Sequence, residues 1–424
     1  MVKDGIKYFL NYNIRFNYSF EKRLKEIIAL KKKNCDEILQ IKNKIFIDLF
    51  QTAYQKSVFY KNLYREHGIS INDVQSINDI NKLPIITKEQ IRESINQINI
   101  GSNLLKVKGY TSGTTGTPLK VYRDYNAILN EAAFVWAQRE TFGYRPGMKT
   151  VSLRGDLGRN SKFKYDKFSK TLHLSSYNLN ENNAKFFYDK IADFSPYAIV
   201  AYPSSAFTLA TYFSKLGKKL NVPFIFTSSE TVYDFQRATI EDVFSGKVVD
   251  WYGNAERTIA LEQLQNDKYY EIPLYSINEY NEDNTVTTSL INKTFPLIRY
   301  KVNDVIQPAT GVDHFPREIQ KINGRTDDIL LLPDGTRIGR LDVIFKGVEH
   351  IDFAQFVQKN THHFDLNIVA AKSYSKRDEN EIIKNLEFRI GNLISYEINI
   401  VDKKDIIYTK AGKFKLVVNE IPNL

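Results

Sequence analysis

Apolar residues recur at helical spacing through the first part of the chain. Phe20, Leu24, Ile27 and Ile28 form one stripe, and Ile38, Ile41, Ile45, Leu49 and Tyr54 form a second within a helical stretch over about 36–66. No proline precedes Pro84, so nothing breaks the pattern, and residues 1–100 read as mostly helical. In KLPIITKEQIRESI, at 82–95, Thr87 stands three residues before Gln90, which predicts a capping box opening a short helix.

From 105 to about 330 the pattern alternates between short apolar runs and amphipathic segments. The runs at 149–153, 197–202, 223–227 and 247–251 predict strands, and the segments near 124–140, 181–193, 204–216 and 232–244 predict helices between them. Such alternation argues α/β layers with mainly parallel strands. Residues 270–300, with TVTTSLI at 285–291, read as antiparallel strands. After about 328 a separate α+β unit follows. ILLLPDGTRI predicts a hairpin around Pro333-Asp334-Gly335, then come a helix at 341–349, strands at 353–359 and 364–371, a helix at about 378–392 and a strand at 396–402. The expected fold class is α/β with α+β: a large N-terminal domain of layered sheets and helices over 1–326, and a small C-terminal domain over 327–424.

Composition excludes several classes. Hydrophobic residues make up 42% and charged residues 25%, globular values that exclude wholesale disorder. No apolar run approaches the ~20 residues that span a bilayer, so no transmembrane segment is expected. The first residues, MVKDGIKYFLNYNIRF, lack the long apolar core and cleavage site of a secretory signal, and a cytoplasmic protein is expected. Cys35 is the single cysteine, which excludes an intrachain disulfide and a cysteine-rich zinc site. The net charge of +10 favours anionic partners. The basic residues are spread thinly, without a basic–aromatic stripe or a known motif, so no nucleic acid is expected. Lys31-Lys32-Lys33, beside Ile27, Ile28 and Leu30, reads as a solvated helix face, with weak membrane-surface association as the alternative. His362 and His363 read as surface residues, and Phe134, Trp136, Tyr202 and Phe207 read as core before acyl pocket.

The densest chemistry lies in Tyr110-Thr111-Ser112-Gly113-Thr114-Thr115-Gly116-Thr117-Pro118. Glycines let the backbone approach an anion, and clustered N–H and O–H groups coordinate phosphate oxygens. An ordinary polar turn would mix Asn, Asp and Ser instead. The loop is not of the Walker type, because no GK[ST] follows. Arg154, in LRGD after a predicted strand, is a candidate for contacting an anionic substrate.

TSGTTGTP resembles the phosphate loop of the adenylate-forming enzymes, the acyl-CoA synthetase and ligase superfamily. Four further stretches follow in that family's order: YGNAER at 252–257, RYKVND at 299–304, GRTDD at 324–328 and TKAGKFK at 409–415. SVFYKNLYREHGI and KLPIITKEQIRE narrow the resemblance to the phenylacetate–CoA ligase branch, and within it to members linked to capsular polysaccharide biosynthesis.

The resemblance implies a site. Thr111, Ser112, Gly113, Thr114, Thr115 and Gly116 would grip the ATP phosphates that leave as pyrophosphate. Ser228, Ser229 and Glu230 would contact adenine, Tyr252 would lie flat against the ring, Gly253 would belong to the nucleotide site, and Asp304 would accept both ribose hydroxyls. Arg325 would contact ribose or α-phosphate, Glu256 would ligate magnesium, and Asp327 would be the hinge of the small, mobile domain. Lys413 would meet the carboxylate and α-phosphate during adenylation, with Lys410 and Lys415 as alternative registers. ATP, magnesium and coenzyme A are the implied cofactors, and a small carboxylic acid the implied substrate. The acyl group would pass to coenzyme A or, alternatively, to an amine of an amino sugar or amino acid. A non-catalytic nucleotide-binding homologue is the further alternative, and a homodimer is compatible with the resemblance. Three residues depart from the family pattern: Ala255 stands for a hydroxyl residue, Asn303 for a glycine and Leu119 for a lysine.

Overall fold

The computed structural model describes residues 16–421 apart from 103–105, 111–118, 156, 158–160, 231, 233, 283, 303, 310–315, 324–329, 336, 339–340, 346–347, 349, 392–393 and 408–415. Two compact units emerge. One draws on 1–109, 119–146 and 250–325, the other on 110–118, 147–249 and 326–424.

The first unit begins with helices Tyr18–Leu30, Cys35–Lys56 and Val58–Glu66. The expected stretch over 36–66 is therefore two helices. Ser57 separates them because its extended backbone caps the second: Oγ accepts from the Tyr60 amide at 3.5 Å and donates to the Gln97 carbonyl at 3.0 Å. Along Cys35–Lys56 the buried face is Ile38, Lys42, Phe46, Leu49, Phe50 and Ala53. Phe46, Leu49 and Phe50 pack with Tyr60, Tyr64, Leu297 and Ile298, and full burial of each large side chain contributes about 1.5–3 kcal/mol. Thr87 forms the expected capping box with Gln90 and opens the helix Lys88–Glu93.

The segment after Pro84 is fixed to a strand far along the chain. The Ile86 amide donates to the Arg299 carbonyl, and the Lys301 amide to the Ile86 carbonyl, each at 2.9 Å. Arg299 has φ +52, and its guanidinium holds both oxygens of Glu279, at 3.0 and 2.7 Å, together with the carbonyls of Asn81 and Leu83. Strands Ser276–Tyr280, Thr285–Ser289 and Tyr300–Val302 form an antiparallel sheet, as their pattern predicts. Val305–Pro308, Glu318–Asn323, Tyr269–Glu271 and Ala260–Gln263 pair antiparallel in that order, the last against Trp251–Gly253.

In the second unit Phe163–Asp166, Thr171–Leu174, Thr150–Leu153, Ala198–Ala201 and Phe224–Ser228 lie side by side. The last four run parallel, and Phe163–Asp166 turns back antiparallel. Helices Glu181–Phe194, Pro203–Lys215 and Asp234–Phe244 supply Phe187, Ile191, Leu209, Phe213 and Phe244 to the core against Val151, Ile199 and Ile225. Strands buried on both faces read as continuous apolar runs, which is why AIVA and FIFT stand out in the sequence. Among the described residues, the first unit's parallel pairing is the single bridge between Ile86 and Tyr300. The long antiparallel series there corrects the expectation of mainly parallel strands.

The chain's last part folds as the expected α+β piece. Leu330–Leu331 pairs with Arg337–Ile338 as the hairpin, and Ser395–Ile400, His363–Ala370, Ile351–Asn360 and Val417–Asn419 form a four-stranded sheet. Its inner pair is antiparallel and its outer pairs are parallel. Helix Lys376–Ile390 buries Ile382, Leu386 and Ile390 on one stripe against Phe356, Phe364 and Leu366. Of the helix expected at 341–349, Leu341–Phe345 is a 3-10 segment, and 346, 347 and 349 lie outside the described residues. Tyr177 belongs to this core, and its hydroxyl accepts from Arg389 Nη1 at 2.5 Å. Among the described residues, no helix is long and apolar enough to cross a membrane.

Candidate active site

The first unit brings two of the sequence motifs together. Strand Lys247–Gly253 ends in Trp251, which is buried, and Tyr252, which is half-buried. Pairing of Tyr252 with Leu261 fixes the direction of the ring. The Tyr252 hydroxyl donates to Asp304 Oδ2 at 2.7 Å. Asp304 lies between Tyr300–Val302 and Val305–Pro308, so two strand ends position it.

The turn after Gly253 is set by Asn254. Its Oδ1 accepts from the Thr258 amide at 2.9 Å and its Nδ2 donates to Thr258 Oγ1 at 2.7 Å. Arg257 takes φ +59 inside this turn. Glu256 emerges half-buried, and the Tyr300 hydroxyl donates to its Oε1 at 3.0 Å. The two motifs are thus joined reciprocally, the tyrosine of each donating to the carboxylate of the other. Sequence reasoning missed Tyr300, although it stands inside RYKVND; tyrosine has no signal of its own there.

Arg123 is a second residue the sequence did not single out. Its guanidinium donates to the backbone carbonyl of Ala255, an acceptor that any residue at 255 would supply. Burial, and then the neighbouring Arg257, pull the Arg123 guanidinium down to about 10. Gly109 leaves the room: a Cβ there would stand 2.4 Å from Arg123 Cζ. Strands Val107–Tyr110 and Lys120–Arg123, which carry these residues, flank 111–118, and Lys120 is a strand residue.

In the second unit the TSSE run ends strand Phe224–Ser228. Ser229 takes φ +75, a left-handed conformation that costs a serine about 1–2 kcal/mol. Glu230 Oε2 accepts from the Ser204 amide at 2.9 Å, at the start of helix Pro203–Lys215. An anion there satisfies one of the helix's first amides. Arg154 Nη2 donates to Ser228 Oγ at 3.1 Å, and its guanidinium carbon lies 5.6 Å from the Tyr202 ring centre. Phe134 is core, and Trp136 and Phe207 pack against core clusters, as expected.

Thr111, Ser112, Gly113, Thr114, Thr115, Gly116, Asn303, Arg325, Asp327, Lys410, Lys413 and Lys415 lie outside the described residues. Glu256 fits a magnesium ion that takes one protein carboxylate and completes its shell with phosphate oxygens and water: it is a hard oxygen donor, half-buried, and oriented by Tyr300. His363, on the C-terminal sheet, sits with Asp365 and Glu397 within 4.8 Å of one another, Nε2 lying 3.0 Å from Asp365 Oδ1 and Nδ1 2.9 Å from Ser395 Oγ. Lys359 Nζ stands 3.3 Å from the other oxygen of Asp365, so that carboxylate already has a cation beside it without a metal ion.

A family model described as the CapK C-terminal domain matches residues 330–420. Protein CapK of Staphylococcus aureus is 25% identical, over 99% of this chain and 96% of its own length. A phenylacetate-coenzyme A ligase of Pseudomonas putida is 24% identical, over 87% of this chain and 83% of its own. Among solved structures, a 2-hydroxyisobutyryl-CoA ligase, in complex with 2-HIB-AMP and CoA, superposes with a TM-score of 0.57 at 16% identity, covering 92% of this chain and 91% of that one. The last likeness is one of fold.

Proposed function

We infer that this chain, which belongs to the phenylacetate–CoA ligase-like branch of the adenylate-forming superfamily, is an ATP-dependent ligase that activates a carboxylic acid and transfers it to coenzyme A. The observation that carries the reading is the reciprocal pair of hydrogen bonds, Tyr252 to Asp304 and Tyr300 to Glu256. It ties a ribose-type acceptor and a metal-type acceptor to each other's motifs at fixed places, as a nucleotide triphosphate requires.

In the first half-reaction a carboxylate oxygen of the acid attacks the α-phosphorus of ATP, and pyrophosphate leaves. Two anions have to meet, so the protein's contribution is positioning and charge neutralisation. Asp304 accepts the ribose hydroxyls, with Tyr252 orienting the carboxylate and presenting its ring to adenine. The Thr111–Gly116 loop donates to the β- and γ-phosphates. Magnesium, when held by Glu256, supplies positive charge to the phosphate oxygens. Lys413 supplies a second charge where negative charge accumulates on phosphorus. In the second half-reaction the coenzyme A thiolate attacks the acyl carbonyl and AMP leaves. Rotation of 327–424 about Asp327 would withdraw Lys413 between the two. A role in surface or capsular polysaccharide biosynthesis is supported by the likeness to CapK, which here stands for context and not for substrate.

Pyrophosphate release across a panel of carboxylic acids, with and without coenzyme A, tests the reading. Acid-dependent pyrophosphate release, with thioester appearing only when coenzyme A is added, is the expected result. ATP binding without acid-dependent pyrophosphate release for any acid would return the chain to the non-catalytic alternative.

A further inference from the structure

Three parallel strands of the second unit end at one level. Leu153 is in register with Ala201, and Ala201 with Thr227. The next positions along the three chains are Arg154 and Tyr202, just beyond their strands, and Ser228, the last residue of its own. The carboxyl ends of parallel strands are where open α/β sheets hold ligands. Two local features fix Arg154 at that edge. Gly155 takes φ +74, and a Cβ on it would stand 2.6 Å from the Tyr177 hydroxyl, so only glycine turns the chain here. Ser228 Oγ then receives Arg154 Nη2 at 3.1 Å, with the Tyr202 ring packed against the guanidinium.

Among the described residues no carboxylate forms an ion pair with Arg154; its partners there are a hydroxyl and an aromatic ring. Glu230, two residues after Ser228, accepts from the Ser204 amide. Arg154 is half-buried, where an uncompensated cation attracts an anion more strongly than in water. With one Nη committed to Ser228, the remaining in-plane N–H groups still form a donor edge. Ser228 Oγ accepts from Arg154, so its own proton is a further donor at the same place. A set made of donors only, with a planar fork at its centre, matches a carboxylate.

We propose that Arg154, Ser228 and the Tyr202 ring form a carboxylate-binding subsite for the acid substrate, which takes Ser228 from the adenine contact implied by the resemblance and gives it to the acid. This rests on the ligase reading and adds to it a substrate contact: a carboxylate held by a guanidinium in place of an all-apolar acyl pocket. The carboxylate is either the one that reacts or a second one on the same molecule, and a panel of acids separates the two.

The test uses the full chain and five probes: acetate, phenylacetate, malonate, succinate and glutarate. KM for each acid and for ATP is measured by pyrophosphate release in wild type, Arg154→Gln, Arg154→Lys and Ser228→Ala, and acid binding without ATP is measured by equilibrium dialysis. Arg154→Gln is expected to raise the acid KM by about tenfold or more, the effect of losing a charge-assisted hydrogen bond, with ATP KM unchanged. Arg154→Lys should recover part of the loss, and Ser228→Ala should cause a smaller one. Loss across all five acids identifies the reacting carboxylate, and loss confined to the dicarboxylates identifies a second one. An unchanged acid KM in folded Arg154→Gln, or a rise in ATP KM alone, overturns the subsite while leaving the ligase reading intact. Arg154-dependent acid binding without pyrophosphate release would do the reverse. If wild type binds none of the five, the subsite is rejected, and Ser228→Ala, which leaves the charge in place, guards against an Arg154 variant that fails to fold.

Discussion

The hydroxyl of Tyr252 donates to Asp304 at 2.7 Å, across 52 positions of sequence. A carboxylate oriented in this way would accept ribose hydroxyls, its proposed role, without first losing rotational freedom. Asp304→Ala should weaken ATP binding by roughly 1.5–3 kcal/mol, the scale for hydrogen bonds to a charged group. Tyr252→Phe keeps the ring and the charge and should cost about 0.5–1.5 kcal/mol. Calorimetric titration of ATP measures both, and unchanged affinity in a folded Asp304→Ala protein refutes the ribose role.

Glu256 and Tyr300 give a metal-dependent counterpart. Glu256→Gln should shift the magnesium dependence of pyrophosphate release to higher concentration, because a neutral amide is a poorer ligand. Tyr300→Phe should shift it the same way by less. Identical magnesium curves for wild type and Glu256→Gln would make Glu256 an ordinary surface carboxylate.

Lys413→Ala should slow acyl-adenylate formation by on the order of 10²-fold or more, as when one oxyanion-type contact is removed. Supplied with presynthesised acyl-adenylate, the variant should still transfer the acyl group. Asp327→Pro should stiffen the hinge, sparing adenylation and blocking transfer. Equal damage to both steps by Lys413→Ala, with Lys410→Ala silent, contradicts domain rotation; loss of adenylation in Lys410→Ala alone moves the register and keeps the mechanism.

Stability can be tested at Tyr60. Its buried hydroxyl accepts from the Ile298 amide at 2.9 Å and donates to the Pro296 carbonyl at 3.1 Å. Burial raises the phenol far above its ordinary range. Tyr60→Phe strands two buried backbone groups, each worth about 1–3 kcal/mol, and should lower the urea midpoint by the equivalent of about 2 kcal/mol or more. A midpoint equal to wild type would mean that water replaces the hydroxyl.

Asp79 should report on acid. The Lys82 ammonium, and then the Gln75 amide, lower its carboxyl to about 2. A depressed carboxylate stabilises the fold above its unfolded value of 3.8, and that contribution is lost as pH falls through about 2. A carboxyl-carbon NMR titration should place its midpoint near 2; a midpoint at the free value would show that Lys82 does not hold it.

Elements were legible where burial and apolarity coincide. The runs at 149–153, 197–202, 223–227 and 247–251 became strands, and the helices between them fall within one or two residues of their patterns. Ala260–Gln263 was not legible, because its buried positions include Glu262 and Gln263. Glu262 holds Lys31 at 3.0 Å, and Gln263 Oε1 accepts from the Asp250 amide at 2.9 Å. The buried face of Cys35–Lys56 was displaced for the same reason. Lys42 is buried, burial pushes its ammonium down, and Glu271 opposes that shift, so a charged residue occupies a core position that apolar periodicity assigns to its neighbour. The motif residues of the site could be read one by one. Their pairing could not, because Tyr252–Asp304 and Glu256–Tyr300 join stretches that carry no mark of proximity.

Arg299 has a bearing on how this scaffold can be re-engineered. By clasping Glu279 and the carbonyls of Asn81 and Leu83, with Ile86 paired to its own strand, it makes KLPIIT and RYKVND one mechanical piece. A chimaera that imports residues 80–86 from a relative without 279 and 299–301 would carry a mismatched clasp directly upstream of Asp304. Grafts between this chain and its relatives are therefore better cut outside both stretches, with the pair exchanged as a unit.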